Sequence, residues 1–163
     1  MAKSIFITIL CFLVFQTTSL LAGELRVIDG DTIVLDSERH RLIGYDTPEI
    51  NQKCQNPEIG DGTWPAGRLA KERLIKLIGD NELRCVSKGK DKYGRTLSTC
   101  YVGDLNLNEA MVREGWAFVS PQYEQTYAQL AIEAKEKNLG VWRHKCEYPW
   151  DFRLTTRLNK KVK

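Results

Sequence analysis

From residue 25 onward the chain is patterned as short β-rich runs before it becomes helical. Leu25-Arg-Val-Ile-Asp29 and Thr32-Ile-Val-Leu-Asp36 are two such runs, joined through Asp29-Gly30-Asp31, an Asp-Gly turn signal. Residues 39–45 form a third, closed by Asp46-Thr-Pro48, so the pattern predicts a three-stranded meander with short connections. Residues 50–63 are rich in Asn, Gln, Gly and Asp and read as loop. The period then changes. Leu69, Ala70, Leu74, Leu77 and Ile78 recur at three and four residues, which predicts one apolar helix face. Thr63 suits its N-cap, Pro65 is tolerated in its first turn, and Gly79 ends it.

A hairpin over 82–102 comes next, its arms flanking the turn-rich Lys88-Gly-Lys-Asp-Lys-Tyr-Gly94. Asn106 with Glu109 resembles a capping box for a short helix that stops at Gly115. Residues 116–119 suit a further strand. A last helix is expected over about 124–138, with Tyr127, Leu130, Ala131 and Ala134 inward and Gly140 after it. Strands first, a helix before a later hairpin, and helices afterwards describe a small α+β domain. Five strands with a helix between the third and fourth also fit an OB-type barrel, here with three helices in all.

The 163 residues suit one domain, and the N-terminus stands apart from it. Lys3 precedes an apolar run of 11 residues from Ile5 to Phe15, then polar Gln16-Thr-Thr-Ser19 and small Ala22-Gly23. Residues 1–22 therefore read as a cleaved signal peptide, since a spanning helix needs ~20 apolar residues. On that reading the protein is exported, to the periplasm or the medium, and no span is left after cleavage. Residues 23–145 would form the domain and 146–163 a basic tail. The formal net charge is only +3, but residues 151–163 alone carry +4. Such a tail can hold nucleic acid or an anionic surface; a solvated, frayed end is the favoured reading.

Cys11 leaves with the signal, so Cys54, Cys85, Cys100 and Cys146 remain. Four cysteines in an exported chain suggest two disulfides, with three possible connectivities. Cys85 and Cys100 fall on the two hairpin arms, which favours that pair and leaves Cys54 with Cys146; free buried thiols are the alternative. Zinc is disfavoured, because no CxxC spacing occurs and the two histidines are His40 and His144.

Candidate chemistry gathers near two turns. Asp31 lies at the start of the second strand, and Asp46 and Glu49 just past the third. Carboxylate oxygens with a backbone carbonyl suit calcium or magnesium, and guanidinium groups match phosphate oxygens. A free carboxylate can take a proton from an attacking water. Together these are the parts for phosphodiester hydrolysis. Geometry raises one objection: Arg41 lies five residues before Asp46, so a regular strand would put the two on opposite faces. A twist or bulge must re-aim Arg41, or the two must meet a substrate from different sides.

Four ordered segments add to this: Val27-Ile-Asp-Gly-Asp-Thr-Ile33, Arg41-Leu-Ile-Gly-Tyr-Asp-Thr-Pro-Glu49, Asp91-Lys-Tyr-Gly-Arg95 and Asn108-Glu-Ala-Met-Val-Arg-Glu-Gly-Trp116. In this order the chain resembles the thermonuclease family, the staphylococcal-nuclease-like domains. The resemblance implies an OB barrel with three helices and a calcium-dependent endonuclease that cleaves DNA and RNA with little sequence preference, leaving 3′-phosphates. It implies that Asp31, Asp46 and the Thr47 carbonyl ligate calcium. Arg41 and Arg95 would clamp the scissile phosphate, and Glu49 would orient or deprotonate the water. Lys92 and Tyr93 match the substrate-facing turn, and Tyr123 is a candidate for stacking on a base. No stable protein partner is implied, and a monomer is expected. The other reading is an OB-fold nucleic-acid-binding module without catalysis; such modules have typically lost these acids or arginines, and this chain has not.

Overall fold

The computed structural model of the chain describes residues 24–58, 60, 62–121 and 125–161. The expected signal segment 1–22 and Tyr123 lie outside them. The meander is β1 (Leu25–Val27), β2 (Thr32–Leu35) and β3 (Glu38–Leu42), paired antiparallel in sequence. β4 (Cys54–Gln55) and β5 (Thr63–Trp64) form a small separate ribbon, followed by α1 (Ala66–Ile78). The predicted hairpin is β6 (Leu83–Lys90) with β7 (Thr96–Val102), and β8 (Leu105–Asn106) pairs with β7. Three more helices follow: α2 (Leu107–Arg113), α3 (Ala128–Glu136) and α4 (Pro149–Lys161).

The five long strands run β1-β2-β3-β7-β6, with β3 and β7 parallel. This is the strand order of an OB barrel, although β1 and β6 are not hydrogen-bonded to each other and the sheet stays open. The expected α+β class holds, with four α-helices among the described residues where three were expected. Ile33 and Leu42 from the sheet meet Ala70, Leu74 and Ile78 of α1, and Leu107, Met111 and Val112 of α2, in one core. The period read from the sequence thus names the buried face of α1 correctly. Asn106 caps α2 as expected, its side chain accepting from the Glu109 amide at 3.2 Å.

Several local expectations change, among them the stretch 50–63 read as loop, which carries β4 and the start of β5. Thr63 does not cap α1; it pairs with Gln55 in the β4–β5 ribbon, and the helix starts three residues later. Cross-strand pairing wins there over an N-cap preference that is only about 1 kcal/mol. Residues 116–119 form no strand, only a bridge between Phe118 and Asp46. The last expected helix is split into a 3₁₀ turn over Gln125–Tyr127 and α3.

The tail differs most: the segment favoured as a frayed end is the 13-residue helix α4. Pro149 opens it, Asp151 stands in its first turn, and Lys160 and Lys161 close it, a charge order that suits the helix dipole. Its base is fixed to the domain. Tyr148 and Trp150 stack at 4.7 Å, and the edge of Phe118 meets Tyr148 at 5.2 Å. Cys146 is bonded to Cys54, and Cys85 to Cys100, which is the expected connectivity.

Candidate active site

The chain turns sharply after β3, and this turn resolves the objection to Arg41. β3 ends at Leu42, and Gly44 takes φ +89°, a conformation in which a side chain would be strained. Asp46 is therefore not on the strand at all. It is held against Phe118 by two backbone bonds of 2.8 Å. From β3 the Arg41 guanidinium reaches both acids, with Nη1 at 2.7 Å from Asp31 Oδ1 and Nη2 at 3.1 Å from Asp46 Oδ1. Nη1 and Nη2 also donate to the carbonyls of Leu42 and Tyr45, at 3.0 and 3.1 Å.

Asp31 and Asp46 are both buried. The amide and the hydroxyl of Thr47 each donate to Asp31 Oδ2 at 3.0 Å. Burial pushes the Asp31 carboxyl up, but the Arg41 charge and the bonds from Thr47 and its neighbours outweigh it and hold it below its ordinary value. Burial also pushes Asp46 up, here against the opposing bond from Arg153. Asp29 accepts from the Asp31 amide at 3.1 Å, and burial together with the Asp31 charge pushes its carboxyl up to about 7.

Glu49 sits on the loop that packs against the first turn of α1. A Cβ added at Gly67 would lie 1.8 Å from the Glu49 carbonyl oxygen, so only glycine lets the helix approach this closely. Buried Gln52 ties the loop down: its side-chain oxygen accepts from the Glu49 amide at 3.1 Å, and its side-chain nitrogen donates to the Glu147 carbonyl at 2.7 Å. The same glutamine thus joins the Glu49 loop to the base of α4.

One cleft of about 600 Å³ is lined by Asp31, Arg41, Asp46, Thr47 and Glu49. Lys92, Tyr93 and Arg95, from the β6–β7 turn, form part of its wall. Arg95 does not touch the acids; its Nε donates to Asp91 Oδ2 at 2.8 Å. Tyr93 is 70 % exposed and lies under the cations of Lys92 and Arg95, at 5.2 and 5.7 Å from its ring centre.

The sequence reading missed Arg153. From α4 its Nη2 donates to Asp46 Oδ2 at 2.6 Å, and its Nη1 to Glu49 Oε1 at 2.7 Å and to Asp46 Oδ1 at 3.2 Å. The bonds to Asp46 and Glu49 raise its pKa above the ordinary arginine value. Arg39 and Arg157 line the same cleft and were likewise not singled out. The helical start signature at Pro149 and Asp151, with basic residues at 153 and 157, was the available signal.

Residues 39–144 match the family described as staphylococcal nuclease homologue. The chain is 38 % identical to a thermonuclease of Staphylococcus intermedius over 128 residues, covering 72 % of this chain and 73 % of that one. It is 31 % identical to an uncharacterized endonuclease of Haemophilus influenzae, over 82 % of this chain and 74 % of the relative. It is also 31 % identical to the succinoglycan biosynthesis protein ExoI of Rhizobium meliloti, over 85 % and 73 % respectively. The chain belongs to the staphylococcal nuclease family. Hydrolytic nuclease activity comes with this family. The matched stretch begins after Asp31 and ends before α4, so two walls of the cleft lie outside it.

Proposed function

We propose that this chain is an exported, calcium-dependent endonuclease that hydrolyses phosphodiester bonds of DNA and RNA with little sequence specificity and leaves 3′-phosphates. The observation that carries this reading is the cleft in which buried Asp31 and Asp46 share the Arg41 guanidinium, with Glu49 beside them and Arg95 on the same wall. The donors available to a cation there are oxygens only, which suits a hard ion such as calcium. That the Arg153 guanidinium lodges between Asp46 and Glu49 supports a site made for positive charge. Asp31 and Asp46 would hold calcium through their carboxylates, and Thr47 through its main-chain carbonyl. When bound, the ion supplies charge neutralisation at a phosphate oxygen.

The chain's own residues do the rest. Arg95 donates to non-bridging oxygens of the scissile phosphate, and Arg41 joins it through Nε, or through Nη atoms released once Asp31 and Asp46 are engaged by a cation. Together they stabilise the charge that builds on the phosphate. Glu49 orients the attacking water and accepts its proton. The water oxygen bonds to phosphorus and the bond from phosphorus to the 5′ oxygen breaks. The 5′ oxygen takes up a proton from solvent and leaves as a hydroxyl, and the phosphate stays on the 3′ oxygen. Lys92, Tyr93 and, by resemblance, Tyr123 would contact the flanking nucleotides.

Export rests on the signal-like residues 1–22 and is supported by two disulfides, which persist in oxidising compartments. Among the described residues no helix is long and apolar enough to cross a membrane. The test is degradation of plasmid and single-stranded DNA by the purified mature chain, with calcium or with a chelator. Cleavage should need calcium and fall by orders of magnitude in Glu49→Gln and in Arg95→Ala. Activity that survives chelation, or is intact in both variants, overturns the mechanism, and binding without cleavage supports a non-catalytic module.

A further inference from the structure

α4 brings two arginines to the cleft from outside the family-matched stretch. Arg153 and Arg157 are four residues apart, so they stand one above the other on one helical face. Arg153 pins that face to Asp46 and Glu49. Arg157, one turn further, overlooks the same cleft. The opposite contribution comes from β3. Arg39 and Arg41 alternate on that strand and point to one face, roughly 7 Å apart along it. That step is comparable to the separation of successive backbone phosphates on one strand.

The charges on this side of the cleft are unbalanced. Asp31 is engaged by Arg41 and Thr47, Asp46 by Arg41 and Arg153, and Glu49 by Arg153. Asp29, the fourth carboxylate of the lining, accepts from the Asp31 amide and is held towards its neutral form by burial and the Asp31 charge. Arg39 and Arg157 are exposed and have no carboxylate partner among the described residues. Two forked cations without partners, facing a cleft that already holds a phosphate clamp, match a second anion and no internal partner.

We propose that Arg39 and Arg157 form a subsite for a nucleic-acid backbone phosphate adjacent to the one being cleaved, which makes α4 a substrate-binding arm. The inference rests on the nuclease reading above. It adds that the enzyme grips at least two successive phosphates, one at the Arg41–Arg95 clamp and one between β3 and α4. Arg153 sets the height of the arm by holding it on the acids.

The test compares a thymidine trinucleotide, which has two internal phosphates, with the dinucleotide, which has one. In the presence of calcium the wild-type chain should favour the trinucleotide in kcat/KM. Arg39→Ala and Arg157→Ala should each reduce that ratio, by roughly five- to tenfold for one lost charge-assisted contact. Arg157→Lys, which keeps the charge, should restore part of it. Independently, binding of a labelled oligothymidylate, followed by fluorescence anisotropy in chelator so that no cleavage occurs, should lose about 0.7 from its log–log salt slope with each arginine removed. A ratio and a slope that both match wild type overturn the subsite, as does a loss that Arg157→Lys shares in full with Arg157→Ala. Failure of the wild-type chain to cleave either oligonucleotide in calcium counts against the nuclease reading itself, while the slope measurement still decides the subsite.

Discussion

Asp31 and Asp46 place two carboxylates in a buried wall, with side chains 9 % and 3 % exposed, and the Arg41 guanidinium touches both. Burying such charges is tolerable only while they are paired, and removing one partner of a buried pair typically costs about 3–5 kcal/mol. Arg41→Ala should therefore lower stability by an amount of that order in urea denaturation, beyond its loss of activity. Calcium should restore part of the loss, because a cation bound only by the folded chain stabilises it. No recovery with calcium would argue that the two carboxylates are not a cation site.

Arg153 leads to the opposite expectation for metal binding. Its fork occupies both oxygens of Asp46 and one of Glu49, so it competes for the same negative charge. Calorimetric titration of Arg153→Ala with calcium, without nucleic acid, should show binding roughly three- to tenfold tighter, as expected for an incompletely buried ion pair. Weaker binding would mean that Arg153 orients the acids instead of competing for them.

Among the elements, α1 was readable because its signal is local: Ala70, Leu74 and Ile78 are buried where the period puts them. The same holds for the β6–β7 hairpin and the Asn106 cap. Arg41's reach was not readable, because it depends on where β3 stops and how Gly44 turns the chain. Arg153 was harder still. It meets Asp46 across 107 residues, and helix periodicity carries no information about which distant acid a helix will face. Close packing of α1 on the Glu49 loop is another tertiary fact with a sharp consequence. Gly67→Ala should help an isolated helix by about 1 kcal/mol. Here the new Cβ would sit 1.8 Å from the Glu49 carbonyl oxygen, and that clash must be relieved by moving the loop. Overpacking of this kind costs about 1–3 kcal/mol, so the clash wins and the variant should lose both Tm and kcat. An unchanged Tm would show that the loop yields freely.

Across the whole molecule, the two disulfides differ in span and in what they hold. Cys85–Cys100 closes a separation of 15 residues within one hairpin, whereas Cys54–Cys146 closes 92 and ties the base of α4 to the segment after Glu49. In the chain-entropy account these are worth about 3 and about 4–5 kcal/mol respectively. Replacing each pair by serines should therefore destabilise in both cases. Only loss of Cys54–Cys146 should also raise KM for single-stranded DNA at a temperature where both variants remain folded, because α4 then keeps only its non-covalent ties, through Gln52, the aromatic stack and the Arg153 ion pairs. An equal effect of both replacements on KM would refute that division of labour. The longer bond has a consequence for the producing cell. In a compartment that keeps thiols reduced, Cys54 and Cys146 would stay unlinked and α4 would be held by non-covalent contacts, so on the proposed function a reduced chain should bind nucleic acid more weakly than the oxidised one. On the proposed export, oxidation would then act as an arming step, completing the grip only once the chain has left the reducing compartment.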